Sequence, residues 1–153
     1  MKRILIASDH AGFKLKEKLK PYLAGRGLEV RDLGAYSDER CDYPLLAAQL
    51  AKSISAGNCK MGILICHTGI GNSIVANRFP EVRASLCYNV KAAQLTRQHN
   101  DSNVLVLGAS FVSGALAKKI TAAWLDTGFL GGRHKRRLGL LKKIEKQIGC
   151  KKE

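Results

Sequence analysis

The sequence predicts a single α/β domain in which helices cover both faces of a parallel β-sheet. The chain has 153 residues, the size of one domain with a substantial core, and 46% of them are hydrophobic. Segments with the periodicity of amphipathic helices separate short apolar runs, and this alternation is typical of a parallel sheet. The runs that we assign to buried strands are 3–8, 28–33, 61–66, 82–87 and 103–108.

The helices are predicted from the segments between these strands. In the first, Leu15, Leu19 and Leu23 recur on one face, and Pro21 is expected to kink or shorten the helix. The remaining helices follow the later strands in order, and Asn89 is positioned to cap one of them. We place them at 45–54 (starting near Tyr43-Pro44), from Ile74, at 90–98, at 113–125 and at about 133–149. The loop 34–42 is the longest irregular connection.

The last predicted helix is strongly basic. The net charge is +14, and residues 133–153 hold nine Lys or Arg against two acidic residues. Such a tail could contact nucleic acid. However, only 6% of the chain is aromatic and no nucleic-acid-binding motif is present, which favours a solvated basic helix. Its apolar stripe, which we expect to dock on another subunit, consists of Leu138, Leu141, Ile144 and Ile148.

Composition also bears on cellular location and redox state. No apolar run is long enough to span a membrane, and the apolar stretch after Met1 is too short for a secretory signal, so we expect a cytoplasmic protein. The five cysteines have neither CxxC nor zinc-finger spacing, which favours reduced thiols. They are Cys41, Cys59, Cys66, Cys87 and Cys150.

The segment 62–77 carries the strongest functional signal. The strand 61–66 ends at Cys66, and a turn with two glycines leads into a helix. Backbone N–H groups and the positive end of the helix dipole would then converge on one point, where an oxyanion could bind and a thiolate would be favoured. The alternative is that Cys66 only packs in the core, because many strand–helix junctions need a glycine simply to turn.

Polar residues also cluster at the ends of other elements. Asp9-His10 follows the first strand, and His99-Asn100 precedes the fifth. In a parallel α/β sheet, ligands bind beyond the carboxyl ends of the strands. Each residue alone could serve only as a cap or a loop hydrogen-bonding group, but three such clusters favour a site.

Four separated segments resemble those of the ribose-5-phosphate isomerase type B family, which includes galactose-6-phosphate isomerase subunits and allose-6-phosphate isomerases. They occur in the family's order and extend the resemblance over about residues 2–148: 8–13 (SDHAGF), 65–71 (ICHTGIG), 97–101 (RQHND) and 131–134 (GGRH). The resemblance implies a Rossmann-like three-layer sandwich with five parallel strands and an extra C-terminal helix. It also implies a homodimer or tetramer with active sites between subunits, and isomerisation without a metal or cofactor.

The resemblance assigns roles to individual residues. Cys66 matches the base that moves a proton between C1 and C2, and Thr68 and His99 match the residues that open the sugar ring. Asp9 and Asn100 match polar contacts to the sugar. The remaining matches are Tyr43 in the sugar pocket, the turn Gly69, Ile70, Gly71, Asn72 and Ser73 around the enediolate oxygen, and the phosphate ligands His10, Arg133 and Arg137.

Two positions bear on branch and specificity. Where one branch of the family lacks the cysteine and uses a glutamate, this chain has Asn72, so the cysteine branch fits. His67 departs from the motif, which usually has glycine between the cysteine and the threonine. Its imidazole could reshape the pocket or simply face solvent.

We therefore predict an isomerase of D-ribose 5-phosphate and D-ribulose 5-phosphate acting through an enediolate. The alternatives are a hexose-6-phosphate isomerase of the same fold, with allose or galactose 6-phosphate as substrate, and a phosphosugar- or nucleic-acid-binding module without catalysis. A nucleotide-binding Rossmann domain fits poorly, because the turn after the first strand lacks the pattern G-x-G-x-x-G.

Overall fold

Five strands form one parallel sheet, as the sequence predicted. The structure is a computed structural model that describes residues 1–149. The strands are β1 (Lys2–Ser8), β2 (Leu28–Asp32), β3 (Gly62–Cys66), β4 (Ala84–Leu86) and β5 (Val104–Gly108). They pair in the order β2-β1-β3-β5-β4, and every pair is parallel. All carboxyl ends therefore lie at one edge of the sheet, the carboxyl edge, and all amino ends at the opposite amino edge.

Helices cover both faces of this sheet. They are α1 (Phe13–Gly25), α2 (Tyr43–Ser55), α3 (Ile70–Ala76), α4 (Val90–Asn100), α5 (Gly114–Asp126) and α6 (Arg133–Gly149). Alternate strand residues face different cores: Ile63 packs with α1, α4 and α5, whereas Leu64 packs with α2 and α3. The central strands β3 and β5 are buried at every residue and read as continuous hydrophobic runs, whereas the edge strand β2 (LEVRD) alternates between half-buried and exposed residues. The three-layer prediction is confirmed.

Side-chain caps mark where two of the six helices, α4 and α5, begin. The Asn89 side chain accepts a hydrogen bond from the N–H of Ala92 at 2.8 Å, and Ser113 caps α5 in the same way. In contrast, α1 does not end at Pro21 but continues to Gly25. Leu19 and Leu23, on either side of Pro21, are both fully buried, and their packing outweighs the backbone hydrogen bond that proline cannot donate.

The chain path creates a crevice between β1 and β3 at the carboxyl edge. From β1 the chain turns into α1 on one face of the sheet, and from β3 it turns into α3 on the other. Such a switch point is where open α/β sheets bind ligands. Within residues 1–149, no helix is both long and apolar enough to cross a bilayer.

Candidate active site

Cys66 lies beneath the turn that joins β3 to α3. Gly69 has φ = 82°, a left-handed conformation that favours glycine, and this directs its N–H back toward the strand. That N–H donates a hydrogen bond to Cys66 Sγ at 3.2 Å, and only 4% of Cys66 is exposed. The turn thus encloses the sulfur and directs one hydrogen-bond donor at it.

Tyr43 packs against the same turn. A Cβ atom at Gly71 would lie 2.5 Å from the Tyr43 ring, so the glycine is needed for this contact. Tyr43 is the first residue of α2 and remains 38% exposed. Its ring therefore forms a wall beside the turn.

Two hydrogen bonds hold Thr68 in the turn. Thr68 Oγ1 accepts a hydrogen bond from the N–H of Ile70 at 3.2 Å, and its carbonyl accepts one from the Tyr88 hydroxyl at 2.8 Å. Ser73 Oγ donates to the Ile70 carbonyl at 2.7 Å. These bonds make the segment 68–73 a rigid frame around the thiol.

Asp9 and His10 stand across the crevice, after β1. Asp9 is 6% exposed, and its carboxylate accepts the N–H of Gly12 at 3.0 Å. His10 Nδ1 lies 3.2 Å from both the N–H and the carbonyl oxygen of Cys41, so the Cys41 backbone holds the ring in either tautomer. A cleft of about 570 Å³ opens here, lined by Asp9, His10, Arg40, Cys41, Asp42, Tyr43, Pro44 and Leu45.

The loop that lines this cleft is anchored by a buried ion pair. Lys16 is fully buried, and its ammonium donates to Asp32 at 2.6 Å and to the carbonyl of Ala35. Burial acts to raise the pKa of Asp32, but hydrogen bonds from Lys16, Lys20 and the Gly34 N–H hold it below its usual value. The pair thus fixes the start of the loop 34–42.

Four predicted site residues lie elsewhere, at the amino edge of the sheet. Helix α4 returns from the carboxyl edge, so His99 and Asn100 come next to Asn103, whose carbonyl accepts the N–H of Gly62 at the start of β3. Helix α6 begins beside them and adds Arg133 and Arg137. A cleft of about 320 Å³ is lined by His99, Asn100, His134, Arg137, Leu138 and Leu141.

The amino-edge cleft contains a pair of stacked imidazoles. The rings of His99 and His134 are 4.3 Å apart and nearly parallel. Burial, followed by the charges of His99, Arg133 and Arg137, lowers the pKa of His134. No role for His134 was predicted from the sequence, although it stands in the segment 131–134 and one helical turn before Leu138. That spacing was the available signal.

The structure therefore divides the predicted site into two groups. The carboxyl-edge group comprises Asp9, His10, Tyr43, Cys66, Thr68, Gly69, Ile70, Gly71, Asn72 and Ser73. The amino-edge group comprises His99, Asn100, Arg133 and Arg137. The length of a strand, about 15 Å, separates them. The sequence-based expectation that His99 and Asn100 lie at the carboxyl edge of their own subunit was wrong. Helices that follow parallel strands run back to the amino edge, and α4 ends there with these two residues.

His67 is exposed and held at the carboxyl edge. Its Nδ1 lies 2.6 Å from Ser110 Oγ, and its carbonyl accepts the N–H of Ser110 at 2.9 Å. The imidazole thus bridges the ends of β3 and β5, next to Cys66 and Thr68. It is neither buried in the core nor free to rotate.

Comparison with known proteins agrees with this architecture. A profile of the Ribose/Galactose Isomerase family matches residues 4–141. The chain belongs to this family. Among the ribose/galactose isomerases, ribose-5-phosphate isomerase B of Escherichia coli (strain K12) is 47% identical over 147 residues, which cover 96% of this chain and 99% of the relative.

Solved structures of the family share the fold. Ribose-5-phosphate isomerase B of Clostridium thermocellum superposes with a TM-score of 0.93 at 43% identity, covering 95% of this chain and 99% of that one. The Mycoplasma genitalium enzyme, solved with bound ribulose-5-phosphate, gives a TM-score of 0.90 at 40% identity, covering 94% and 96%. The predicted fold and the resemblance stated above are both confirmed.

Proposed function

We propose that this chain is an aldose–ketose isomerase that interconverts D-ribose 5-phosphate and D-ribulose 5-phosphate through an enediolate. The observation that carries the proposal is the thiol of Cys66, enclosed at the end of β3 with the Gly69 N–H on its sulfur. The similarity to ribose-5-phosphate isomerases B supports the choice of sugar phosphate.

The reaction moves a carbonyl between C1 and C2. A base removes the proton from the carbon next to the carbonyl and returns it one carbon away, while the intermediate enediolate carries negative charge on oxygen. The thiolate of Cys66 is the base. The N–H groups of the turn Gly69–Ser73 offer hydrogen bonds to the developing oxyanion, where preorganised donors are most effective.

Opening the sugar ring requires separate groups. Thr68 and His99 are assigned to ring opening, and Asp9 and Asn100 to contacts with the hydroxyl groups. Tyr43 covers the sugar beside the turn. Asp9 is already fixed by the Gly12 N–H, which leaves its second carboxylate oxygen for a substrate hydroxyl.

The phosphate is bound by His10, Arg133 and Arg137. The Cys41 backbone occupies His10 Nδ1, which leaves Nε2 as the ring nitrogen for the phosphate. Arg133 and Arg137 are one helical turn apart on α6, so both guanidinium groups can face one phosphate. Binding the remote phosphate holds the sugar in a reactive position.

A complete site requires two copies of the chain. The carboxyl-edge group supplies Cys66 and Thr68, whereas His99 and the two arginines lie about a strand length away in the same copy. We therefore place the site between subunits of a homodimer or tetramer, with His99, Asn100, Arg133 and Arg137 coming from the partner. The exposed apolar residues of α6, Leu141, Ile144 and Ile148, are available for that contact.

The test is replacement of the thiol. Cys66→Ala should abolish isomerisation and the exchange of solvent deuterium into the sugar carbon next to the carbonyl, because both need the same proton abstraction. Binding of a non-reactive sugar phosphate should stay near the wild-type affinity. Cys59→Ala, which removes another buried thiol at the amino edge, is the matched control and should keep turnover.

Two results would contradict the proposal. Deuterium exchange by Cys66→Ala above about a tenth of the wild-type rate, ~1.4 kcal/mol of barrier, would exclude the thiol as the principal base. A wild-type chain that binds sugar phosphates without turnover would indicate a binding module instead.

A further inference from the structure

Asn72 has an unusual environment for a polar residue. It is 1% exposed, and neither its Oδ1 nor its Nδ2 has a hydrogen-bond partner among residues 1–149. Burying an amide without partners is unfavourable by about 1–3 kcal/mol. Because a leucine of similar branched shape would avoid this cost, the amide calls for an explanation beyond packing.

The position of Asn72 places it at the thiol. Asn72 and Ala76 are the two buried residues of α3, and Ala76 belongs to the core between the sheet and α2–α3. Leu64, two residues before Cys66, lies in that same core, so the Cys66 side chain projects to the same face. Helix α3 begins at the carboxyl edge, and its first turn therefore brings Asn72 next to the end of β3.

The chemistry of the base explains why an amide would be useful there. Cys66 alternates between thiol and thiolate in every turnover. A thiolate needs hydrogen-bond donors, and a thiol offers a weak S–H donor. The structure supplies one donor, the Gly69 N–H at 3.2 Å. The Asn72 amide is not hydrogen-bonded to the sulfur in the structure. A carboxamide carries both a donor and an acceptor, so rotation of this one side chain toward Cys66 would serve both states of the sulfur.

We propose that Asn72 is a positioning residue for Cys66: its Nδ2–H donates to the thiolate, and its Oδ1 accepts the S–H of the thiol. The proton on the sulfur comes from one sugar carbon and returns to the neighbouring carbon. The amide neither gains nor loses a proton. This role concerns the side chain of Asn72, whereas its backbone N–H belongs to the turn around the enediolate oxygen. This role rests on the proposed function of Cys66.

The test uses Asn72→Leu, which keeps the branched shape of the side chain and removes the amide. Three results are expected. The kcat for isomerisation falls about tenfold while KM stays within about twofold, since the substrate contacts remain. The pH at which Cys66 alkylates at half its maximal rate, followed at that residue by mass spectrometry, rises by about one unit. The melting temperature rises, because an unpartnered buried amide has been removed.

Thr121→Val is the matched control. Thr121 on α5 is also fully buried with an unpartnered hydroxyl, but it lies on the other side of the sheet. Its replacement should likewise raise the melting temperature, yet leave kcat and the Cys66 alkylation profile unchanged. Should Asn72→Leu fail to fold, Asn72→Ser keeps a small donor and acceptor and should give the same changes at reduced size.

The outcomes separate this inference from the proposed function. An Asn72→Leu variant with wild-type kcat and alkylation profile overturns the role of Asn72, and so does a loss of kcat with an unmoved alkylation profile. If the wild-type chain does not isomerise sugar phosphates, the proposed function fails. The alkylation profiles would still decide whether Asn72 acts on the sulfur.

Discussion

Single side chains determine how firmly the carboxyl-edge cleft is held. Lys16 is fully buried and donates to Asp32, and its ammonium also lies 5.5 Å from the centre of the Tyr36 ring. A buried ion pair adds little net stability compared with an apolar pair, but removal of one partner leaves the other uncompensated. Lys20 also contacts Asp32, at 2.8 Å, and reduces that loss.

Lys16→Met should therefore lower the free energy of unfolding by about 3 kcal/mol, the low end for a broken buried pair. Urea unfolding followed by circular dichroism measures this. The exposed Lys14→Met is the control and should change stability by less than about 0.5 kcal/mol. Equal effects of the two variants would mean that the pair does not anchor the loop.

His67 is the residue at which this chain departs from the family motif, and Ser110 holds its ring at 2.6 Å. His67→Gly should change the ratio of kcat/KM between ribose 5-phosphate and allose 6-phosphate about tenfold, because removing bulk at a pocket wall alters the space for one extra carbon. Parallel assays on the two sugars measure it. Ser110→Ala removes the hydroxyl that holds the His67 ring but leaves the imidazole in place, so it should change this ratio less. A constant ratio would show that His67 only faces solvent.

At the scale of the element, α6 is attached to the body through few contacts near its start and middle. His134 stacks on His99 of α4, and Lys142 forms an ion pair with Glu81 at 2.7 Å. Both side chains of this ion pair remain about half exposed, so Lys142 still belongs to the solvated basic face of α6. Glu81 precedes β4, so this pair ties α6 to the amino edge.

The stacked histidines make the attachment of α6 sensitive to pH. Burial and the nearby charges of His99, Arg133 and Arg137 lower the pKa of His134, so the unfolded chain binds its proton more readily than the folded chain. Stability from this group is present above the unfolded pKa, about 6.5, and is lost as the pH falls through the folded value.

We expect the free energy of unfolding to decrease between pH 7.5 and 5.5, and His134→Phe, which keeps the stack without the titration, to reduce that slope. Urea unfolding at successive pH values provides the measurement. An identical slope in His134→Phe and the wild type would assign the pH dependence to other groups.

At the scale of the whole molecule, the separation between the carboxyl-edge group and the amino-edge group determines which subunit can supply each residue of a site. Arg137→Ala alone should mainly raise KM, because the substrate loses a charged contact that contributes ~1.5–3 kcal/mol of binding free energy. Cys66→Ala alone should abolish turnover. When the two variants are unfolded together and refolded, a hybrid dimer contains one site with both Cys66 and Arg137 intact.

Mixed refolding should therefore restore part of the activity at low substrate concentration, measured against each variant refolded alone. Mass spectrometry of the intact dimers verifies that hybrids form. Hybrids without recovered activity would place Arg137 in the site of its own subunit or outside any site.

The sequence by itself determined the features that depend on neighbours within a few residues. The central strands follow from continuous apolar runs, the cap at Asn89 from a side chain that reaches an N–H group three residues ahead, and the turn over Cys66 from two nearby glycines. Local periodicity and local hydrogen bonds are properties of short segments, and a reader of the sequence can evaluate them. The fold and the carboxyl-edge group were predictable for that reason.

The tertiary structure alone decided what depends on the chain path and on packing. Helix α1 continues past Pro21, because the packing of the buried leucines on both sides outweighs one missing backbone hydrogen bond. The tertiary structure brought Ser110 to His67 and His134 to His99 across long sequence separations, and left the amide of Asn72 enclosed without a partner. It also placed His99 and Cys66 at opposite edges, because each helix of a parallel sheet must return the chain to the edge where the next strand begins.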